Sequence, residues 1–260
     1  MLKGKVAIVT GSTSGIGLGI ARALAAEGCR IVLNGRRLSE EIEATRIEIA
    51  NQTGAEVIFQ RADMSRPAEI YALVDAVADH WGPADILVNN AGVQHVAPIT
   101  EFATEQWDLV LATNLGSAFH ATKAVLSGMK ARKWGRIINI ASAHALVASP
   151  FKAAYVAAKH GMLGLTKVTA LETAEEGITC NAICPGYVWT PLVAGQIEDQ
   201  ARAHGIPRDD IVRDVILAPQ PTKRFIQVDE VAALTVFLAS EAGRSITGAA
   251  IPVEGGWTAR

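Results

Sequence analysis

Residues 5–17 read KVAIVTGSTSGIG, an apolar run followed directly by a turn that contains three glycines. The run from Lys5 to Thr10 is typical of a strand that is buried on both faces of a parallel sheet. A helix is predicted to follow from about Ile16 to Glu27, and Gly28 ends it. Glycines in such a turn let the backbone approach a phosphate group, which the helix N–H groups attract. The stretch therefore predicts a phosphate-binding strand, turn and helix at the start of an α/β fold.

A second stretch, residues 137–161, reads IINIASAHALVASPFKAAYVAAKHG and is expected to bring reactive side chains together. A buried strand is predicted over Arg136 to Ala141, and a helix over Ala153 to Gly164. Ser142 comes at the carboxyl end of the strand, where open α/β sheets bind ligands. Its hydroxyl could hold the oxygen of a substrate.

Tyr155 and Lys159 stand four residues apart on that helix, so both lie on one face about one turn from each other. An ammonium beside a phenol favours the phenolate, which predicts a lowered pKa for Tyr155. Such a tyrosine could exchange a proton with an alcohol near neutral pH. On an arbitrary helix the same spacing is more often a partly buried tyrosine beside a solvated lysine, so the context has to decide.

The context is a set of motifs that extends along the chain: TGSTSGIG, NNAG, the YxxxK pair and NAICPGYVWTP. With them the sequence resembles the short-chain dehydrogenase/reductase family over essentially all of its length, and the GxxxGxG spacing of the first turn is that family's version. The resemblance implies a catalytic Ser, Tyr and Lys with an assisting Asn. The matching residues are Ser142, Tyr155, Lys159 and Asn114.

Composition narrows the class of protein further. Half of the 260 residues are hydrophobic and 19% are charged, which is ample for one large core. A net charge of −2 gives no single-sign field of the kind that nucleic acid or anionic membranes require. No apolar run approaches the ~18 residues of a membrane span, and no signal-peptide pattern opens the chain, so a soluble cytoplasmic protein is expected. The cysteines, Cys29, Cys180 and Cys184, lack metal-ligand spacing and are expected to be buried apolar residues, with no metal site.

Strands alternate with helices along the chain, which predicts a single-domain Rossmann-type doubly wound parallel sheet with helices on both faces. Further strands are predicted at Arg30–Asn34, Glu56–Arg61, Ile86–Asn89, Ile178–Ile183 and Ala249–Val253, and further helices at Ser39–Gln52, Pro67–Trp81, Thr104–Met129 and Asp229–Ser240. Residues 188–226 interrupt the alternation with two predicted helices, around Pro191–His204 and Asp209–Ala218. This insertion is interpreted as a substrate lid, with an oligomer contact as the alternative.

The resemblance implies a nicotinamide dinucleotide along the carboxyl edge of the sheet. The residues predicted to contact it are Gly11, Thr13, Ser14, Gly15, Ile16, Arg36, Asp63, Asn90, Ala91, Gly92, Tyr155, Lys159, Pro185, Gly186, Val188 and Thr190. By resemblance Asp63 contacts the adenine amine. It could equally be the N-cap of the following helix, with Met64 or Ser65 as competitors.

The form of the dinucleotide is open, because the second strand ends without an acidic residue and leads into Arg36 and Arg37. An arginine there can clamp the 2′-phosphate of NADP, or it can stack on the adenine of NAD. The acidic residues of the adjoining helix, Glu40, Glu41 and Glu43, could also pair with these guanidiniums. We expect NAD to be preferred, with NADP as a weaker alternative.

Within the family, the chain most resembles the bacterial D-3-hydroxybutyrate dehydrogenases, through stretches such as NNAGVQH, GRIINIASAHALVAS and the terminal GGWTAR. The resemblance implies NAD-dependent oxidation of 3-hydroxybutyrate to acetoacetate. The residues that it places around the substrate are Gln94, Ser142, His144, Lys152, Tyr155, Tyr187, Gln196 and Trp257. Lys152 would supply the full positive charge that a small carboxylate needs. Tyr187 and Trp189 replace the Trp and Arg that are usual in this group, which leaves the preferred chain length open.

Two other functions stay open at this point. The chain could reduce another small oxo acid or a carrier-linked 3-oxoacyl thioester, or it could be a nucleotide sensor that keeps the fold without turnover. The complete Ser, Tyr, Lys and Asn set argues against a sensor, which needs no proton relay. No nucleic acid or membrane partner is expected, and the resemblance alone implies a homotetramer.

Overall fold

A computed structural model describes residues 2–190, 193–194, 197 and 207–259. Within them, seven parallel strands form one sheet in the order β3-β2-β1-β4-β5-β6-β7. The strands are β1 (Val6–Val9), β2 (Arg30–Gly35), β3 (Val57–Arg61), β4 (Ile86–Asn89), β5 (Gly135–Ile140), β6 (Ile178–Pro185) and β7 (Ala250–Val253). The doubly wound parallel sheet expected from the sequence is confirmed.

Helices cover both faces of this sheet. They are α1 (Gly15–Ala26), α2 (Glu40–Thr53), α3 (Pro67–Trp81), α4 (Thr104–Leu111), α5 (Ser117–Arg132), α6 (Ala153–Glu172) and α7 (Val228–Ala239). Successive residues of β1 pack into the cores on opposite faces of the sheet, because successive side chains of a strand point to opposite faces. Val9 packs with α1 and α7, whereas Ile8 packs with α3 and α5.

Helix α6 extends well beyond its predicted end at Gly164 and stops at Glu172. Neither of its late glycines breaks it, because neither adopts a positive φ. Gly161 makes room for a neighbour, since a Cβ at that position would lie 2.8 Å from Leu115. Gly164 faces open space. Gly164 was therefore misread as the end of the helix, because a glycine with ordinary helical φ does not break it.

The single helix predicted over Thr104–Met129 is wrong in one place. A π-helical turn, Ala112–Gly116, separates α4 from α5. The inserted residue of a π turn leaves the polar and apolar pattern almost unchanged, so periodicity does not reveal it. Such turns are frequent at functional sites, and this one contains Asn114.

The insertion at residues 188–226 leaves the sheet and returns to it at one point. Val188 forms a parallel bridge with Ile226, and the N–H of Ile226 donates to the carbonyl of Tyr187 at 2.9 Å. The second predicted helix is in fact a helical turn, Arg208–Asp210, that continues as the π-helical Ile211–Ile216. The helix predicted around Pro191–His204 falls almost wholly outside the described residues.

Asn34, near the end of β2, braces the glycine turn after β1. Its Oδ1 accepts the N–H of Gly11 at 3.0 Å, and its Nδ2 donates to the carbonyls of Gln60 and Ala62. The side chain is fully buried. One amide thus ties β1, β2 and β3 together directly below the place where the chain must approach a phosphate.

We expect Asn34→Ala to lower the free energy of unfolding by about 1–3 kcal/mol, because it leaves a buried backbone N–H and two carbonyls without this partner. Urea unfolding measures the change. Asn51→Ala is the matched control, because Asn51 is exposed on α2 and its loss should stay within about 0.5 kcal/mol. Equal stability of the two variants would contradict the bracing role.

Candidate active site

Two adjoining cavities open at the carboxyl edge of the sheet. The larger has a volume of about 440 Å³, and the smaller has a volume of about 100 Å³. Ile16, Gln94, Tyr155 and Thr190 line both cavities. Groups on this shared wall can contact a molecule in either space.

The larger cavity is lined by most of the residues predicted to hold the dinucleotide. They are Gly11, Thr13, Ser14, Gly15, Ile16, Arg36, Asp63, Asn90, Ala91, Gly92, Tyr155, Lys159 and Thr190. Gly186 and Val188 line the smaller cavity instead. Pro185 ends β6 and is not among the described residues that line either space.

The glycine turn fits a pyrophosphate group. Gly11 and Gly15 have φ values of 61° and 55°, and α1 begins at Gly15 with its free N–H groups facing this end. A Cβ at Gly11 would lie 2.9 Å from the Cα of Ala91, so only glycine fits there. Asn90 holds the turn in place, because its Nδ2 donates to the carbonyls of Thr10 and Gly11 at 2.9 and 3.0 Å.

Asp63 does not cap the following helix, and neither competitor does. The N-cap of α3 is Arg66, which makes no side-chain capping bond. The carboxylate of Asp63 instead accepts the N–H and the hydroxyl of Ser65 at 2.9 and 2.7 Å. These bonds lower the pKa of Asp63, and the nearby Arg36 adds to the effect. An ionised carboxylate therefore faces the larger cavity.

Arg36 lines the larger cavity and is exposed. Glu43, one of its expected partners, pairs with Arg46, whose Nε lies 2.9 Å from the carboxylate. Within the described part of the chain, no ion pair joins Arg36 or Arg37 to the acidic residues of α2. The guanidinium at position 36 is thus available to a ligand.

Lys159 lies on the buried face of α6 beside Tyr155. Its Nζ is 5.6 Å from the centroid of the tyrosine ring and donates to the carbonyl of Ile140 at 2.8 Å. Burial lowers the pKa of Lys159 from 10.5 to about 8. The ammonium is therefore held by the end of β5 and not by the phenol oxygen.

The pKa of Tyr155 is raised, not lowered as the sequence suggested. Burial of the phenol oxygen is the largest cause, and a hydrogen bond with Ser142 acts in the opposite direction. The prediction assumed that Lys159 would stabilise the phenolate, but that ammonium bonds to the Ile140 carbonyl. Desolvation consequently dominates in this arrangement.

Asn114 lies in the π-helical turn and is fully buried. Its Oδ1 accepts the N–H of Val93 at 2.8 Å, and its Nδ2 donates to the carbonyl of Val93 at 2.9 Å. The amide thus fixes the loop that follows β4. Its side chain has these partners already, so a role in holding water would fall to its backbone carbonyl.

The smaller cavity is lined by nearly all of the residues predicted to bind substrate. They are Gln94, Ser142, His144, Lys152, Tyr155, Tyr187 and Trp257, while Gln196 lies outside the described residues. Lys152 is only 6% exposed, and its Nζ donates to the hydroxyl of Tyr187 at 3.0 Å. Burial lowers its pKa from 10.5 to about 8. A positive charge is therefore present in this cavity at neutral pH.

Aromatic rings form part of the lining of the smaller cavity. The rings of Tyr187 and Trp257 stack with centroids 5.7 Å apart and an interplanar angle of 9°. The ring of His144 lies nearly perpendicular to that of Trp257, with centroids 5.0 Å apart. The stacked pair presents a flat apolar surface on this part of the wall.

Ser149 is a residue that the sequence reasoning missed. Its Oγ lies 2.9 Å from Nε2 of His144, outside the smaller cavity. The only signal was that it precedes a proline, which indicates a turn and no function. Thr10 was also missed, although its Oγ1 accepts the N–H groups of Asn90 and Ala91 at 3.0 Å.

Cys29, Cys180 and Cys184 are buried and unpaired, as expected. Among the described residues, no cluster of His, Cys, Asp and Glu could hold a metal ion. No helix in that part of the chain is both long and apolar enough to cross a membrane.

Comparison with known proteins gives a consistent result. The family model described as short chain dehydrogenase matches residues 5–201. A D-beta-hydroxybutyrate dehydrogenase of Rhizobium meliloti is 55% identical over 98% of this chain and 99% of its own length, and one of Cupriavidus necator is 55% identical over 100% of both. A solved actinorhodin polyketide ketoreductase variant with NADPH superposes with a TM-score of 0.93 at 39% identity, covering 100% of this chain and 99% of that one.

The charge of Lys152 should control the binding of a small carboxylate. Because its pKa is about 8, the ammonium is present below that pH and is lost above it. We expect the affinity for butyrate, which has no hydroxyl to react, to fall by up to about tenfold per pH unit above 8. Calorimetric titration with saturating cofactor measures it.

Lys152→Arg is the control for this titration, because a guanidinium stays charged to high pH. It should bind butyrate with little change between pH 7 and 9.5. A fall that persists in this variant would assign the titration to Lys159, and a flat wild-type profile would contradict the role of Lys152.

Proposed function

The chain belongs to the short-chain dehydrogenase family, and on that premise we propose that it oxidises D-3-hydroxybutyrate to acetoacetate, and catalyses the reverse reduction, with NAD as the hydride carrier. The observation that carries the proposal is the buried ammonium of Lys152 in a small cavity beside Tyr155 and Ser142. A four-carbon hydroxy acid has one carboxylate for the first group and one hydroxyl for the other two. Two relatives with this activity in their names are 55% identical to the chain.

The catalytic steps divide among the residues that face the smaller cavity. Tyr155, as the phenolate, takes the proton of the substrate hydroxyl, and Ser142 donates a hydrogen bond to the oxygen as it becomes a carbonyl. Lys159, whose ammonium is held by the Ile140 carbonyl, would hold the nicotinamide ribose. When bound, NAD supplies the ring that accepts the hydride from C3.

Substrate orientation follows from the fixed positions of these groups. Lys152 holds the carboxylate, with Gln94 and His144 as further hydrogen-bond donors. The methyl group points to the Tyr187–Trp257 wall. With three substituents placed and the C3 hydrogen directed to the larger cavity, only one enantiomer is productive, and we propose the D form that the two named relatives act on.

The insertion at 188–226 acts as the substrate lid. Its two ends meet at the bridge between Val188 and Ile226, which anchors both ends of the insertion at one point. Val188 and Thr190 lie at its beginning and line the cavities, which couples the lid to the site. Asn114 fixes the loop after β4 through its two bonds to Val93 and would anchor a water that relays protons.

We also propose a cytoplasmic homotetramer formed by one domain per chain. Three buried thiols without a disulfide suit a reducing compartment. Exposed apolar side chains on the outer helices suit subunit contacts, among them Phe119 of α5 and Val168 and Leu171 of α6, the last 79% exposed. Light scattering of the purified protein tests the assembly, and a monomeric mass would reject it.

The function is tested by following nicotinamide reduction at 340 nm with different substrates. The kcat/KM for D-3-hydroxybutyrate should exceed that for the L enantiomer and that for the 3-hydroxybutyryl thioester by about 10²-fold. The L enantiomer directs its C3 hydrogen away from the cofactor. The thioester has no carboxylate, so the buried charge of Lys152 would lack an anionic partner. Tyr155→Phe should bind cofactor normally but lose about 10²-fold or more in kcat.

A faster reaction of the thioester would instead favour a 3-oxoacyl reductase, in which the acyl group is carried on a larger molecule. A better rate with another small oxo acid would keep the mechanism and change the substrate. Turnover by Tyr155→Phe equal to that of the wild type would reject the catalytic assignment altogether.

Cofactor preference is tested through Arg36, which lines the larger cavity, and Arg37, which is exposed and does not line it. We expect NAD to give the larger kcat/KM in the wild type, with measurable NADP use because Arg36 can bind a 2′-phosphate. Arg36→Ala should reduce NADP use by about tenfold and leave NAD use nearly unchanged.

Arg37→Ala is the matched control and should leave both cofactors unaffected. A larger kcat/KM with NADP in the wild type would overturn NAD preference. Unchanged NADP use in Arg36→Ala would overturn the role of that guanidinium.

A further inference from the structure

His144 is fixed on every side in the wall between the smaller cavity and the protein interior. Its ring meets Tyr155, Tyr187 and Trp257 edge-on, at centroid distances of 6.0, 6.4 and 5.0 Å. Its Nε2 lies 2.9 Å from Oγ of Ser149, and its Nδ1 lies 3.5 Å from Oγ of Ser142. In this orientation of the ring, the position of its single proton decides what it offers to each neighbour.

The imidazole is neutral at any pH at which the protein would work. Burial and the charge of Lys152 lower its pKa to about 3, with a smaller contribution from His160. In a neutral imidazole one nitrogen donates and the other accepts. Two tautomers are therefore to be distinguished. In one, Nδ1 presents a donor N–H to Ser142, and in the other it presents an acceptor lone pair.

The bonds of Ser142 decide between the two tautomers. Its Oγ already accepts the backbone N–H of His144 at 3.1 Å. In the proposed reaction the one proton of Ser142 is donated to the substrate oxygen, so none is left for His144. The contact with Nδ1 then requires Nδ1 to be the donor, and Nε2 must be the acceptor.

Ser149 is the group that can meet this requirement, because its hydroxyl has a proton to donate to Nε2. We infer that Ser149 is a positioning residue that fixes the Nδ1–H tautomer of His144 and so completes a directed chain of donors, from Ser149 to His144 to Ser142 to the substrate oxygen. The inference rests on the proposed function of the site. At 3.5 Å the link from Nδ1 to Ser142 is long, and such contacts commonly shorten in a substrate complex.

The direction of this chain of hydrogen-bond donors has two consequences for the reaction. Every hydrogen in it points toward the substrate oxygen, where negative charge develops as Tyr155 takes the proton. The opposite tautomer would present a lone pair to Ser142 and draw its proton away from the substrate oxygen. It would also turn a lone pair, and no donor, toward an anionic substrate in the smaller cavity.

The tautomer can be read directly from ¹⁵N chemical shifts of protein labelled at histidine, with His144→Gln used to assign the signal. In the wild type with NAD and butyrate bound, we expect Nδ1 to carry the proton. Ser149→Ala should shift His144 toward the other tautomer and reduce kcat by about tenfold with little change in cofactor binding. Ser149→Thr, which keeps a hydroxyl, should restore both.

Ser245→Ala is the matched control, because Ser245 is exposed and distant in sequence from the site. If the wild-type spectrum shows the Nε2–H tautomer, the inference is overturned. Because this measurement needs only the wild-type protein, the inference can be tested even if Ser149→Ala does not fold. An unchanged tautomer and unchanged kcat in Ser149→Ala also overturn it. The spectrum requires no turnover, so it separates this inference from the identity of the substrate, which the rates with other hydroxy acids decide.

Discussion

Parallel pairing of β1, β4, β5 and β6 is the constraint on which the site depends. It brings the carboxyl ends of these strands to one edge, and each end delivers part of the site: the glycine turn after β1, Asn90 after β4, Ser142 after β5 and Gly186 after β6. The sheet is apolar on both faces and packed by helices on each side, so this edge is rigid. The catalytic geometry is therefore fixed by strand register before any ligand binds, which is the condition for stabilising charge as it develops.

Much of this arrangement could be predicted from the sequence, because buried parallel strands and glycine turns leave strong local signals. Every strand was recognised, and α3 and β4 have the predicted bounds. The failures have physical causes. A π turn at Ala112–Gly116 changes backbone hydrogen bonds and leaves side-chain periodicity nearly intact. The bond between Ser149 and His144 depends on how a loop folds back after β5, and no residue pattern encodes it.

The charges of the site also depend on burial that sequence does not reveal. Spacing alone suggested that Lys159 lowers the pKa of Tyr155, yet the ammonium bonds to the end of β5 and desolvation raises the phenol pKa. The same desolvation brings the pKa of both Lys152 and Lys159 to about 8 and keeps His144 neutral. A negative substrate thus meets a cavity whose positive charge is poorly solvated, which makes the interaction stronger than in water.

Of the two exchanges, the one at Tyr187 is linked to this charge. A Trp at position 187 would present only carbon and an N–H to the cavity, whereas the tyrosine adds a hydroxyl that must find a partner when buried. Lys152 supplies it, at 3.0 Å, while the ring stacks on Trp257. Trp189 instead packs on Phe225 at 4.9 Å, at the base of the insertion. Position 187 therefore orients the ammonium, and the residues at 152 and 187 must be considered as one unit in explaining substrate choice.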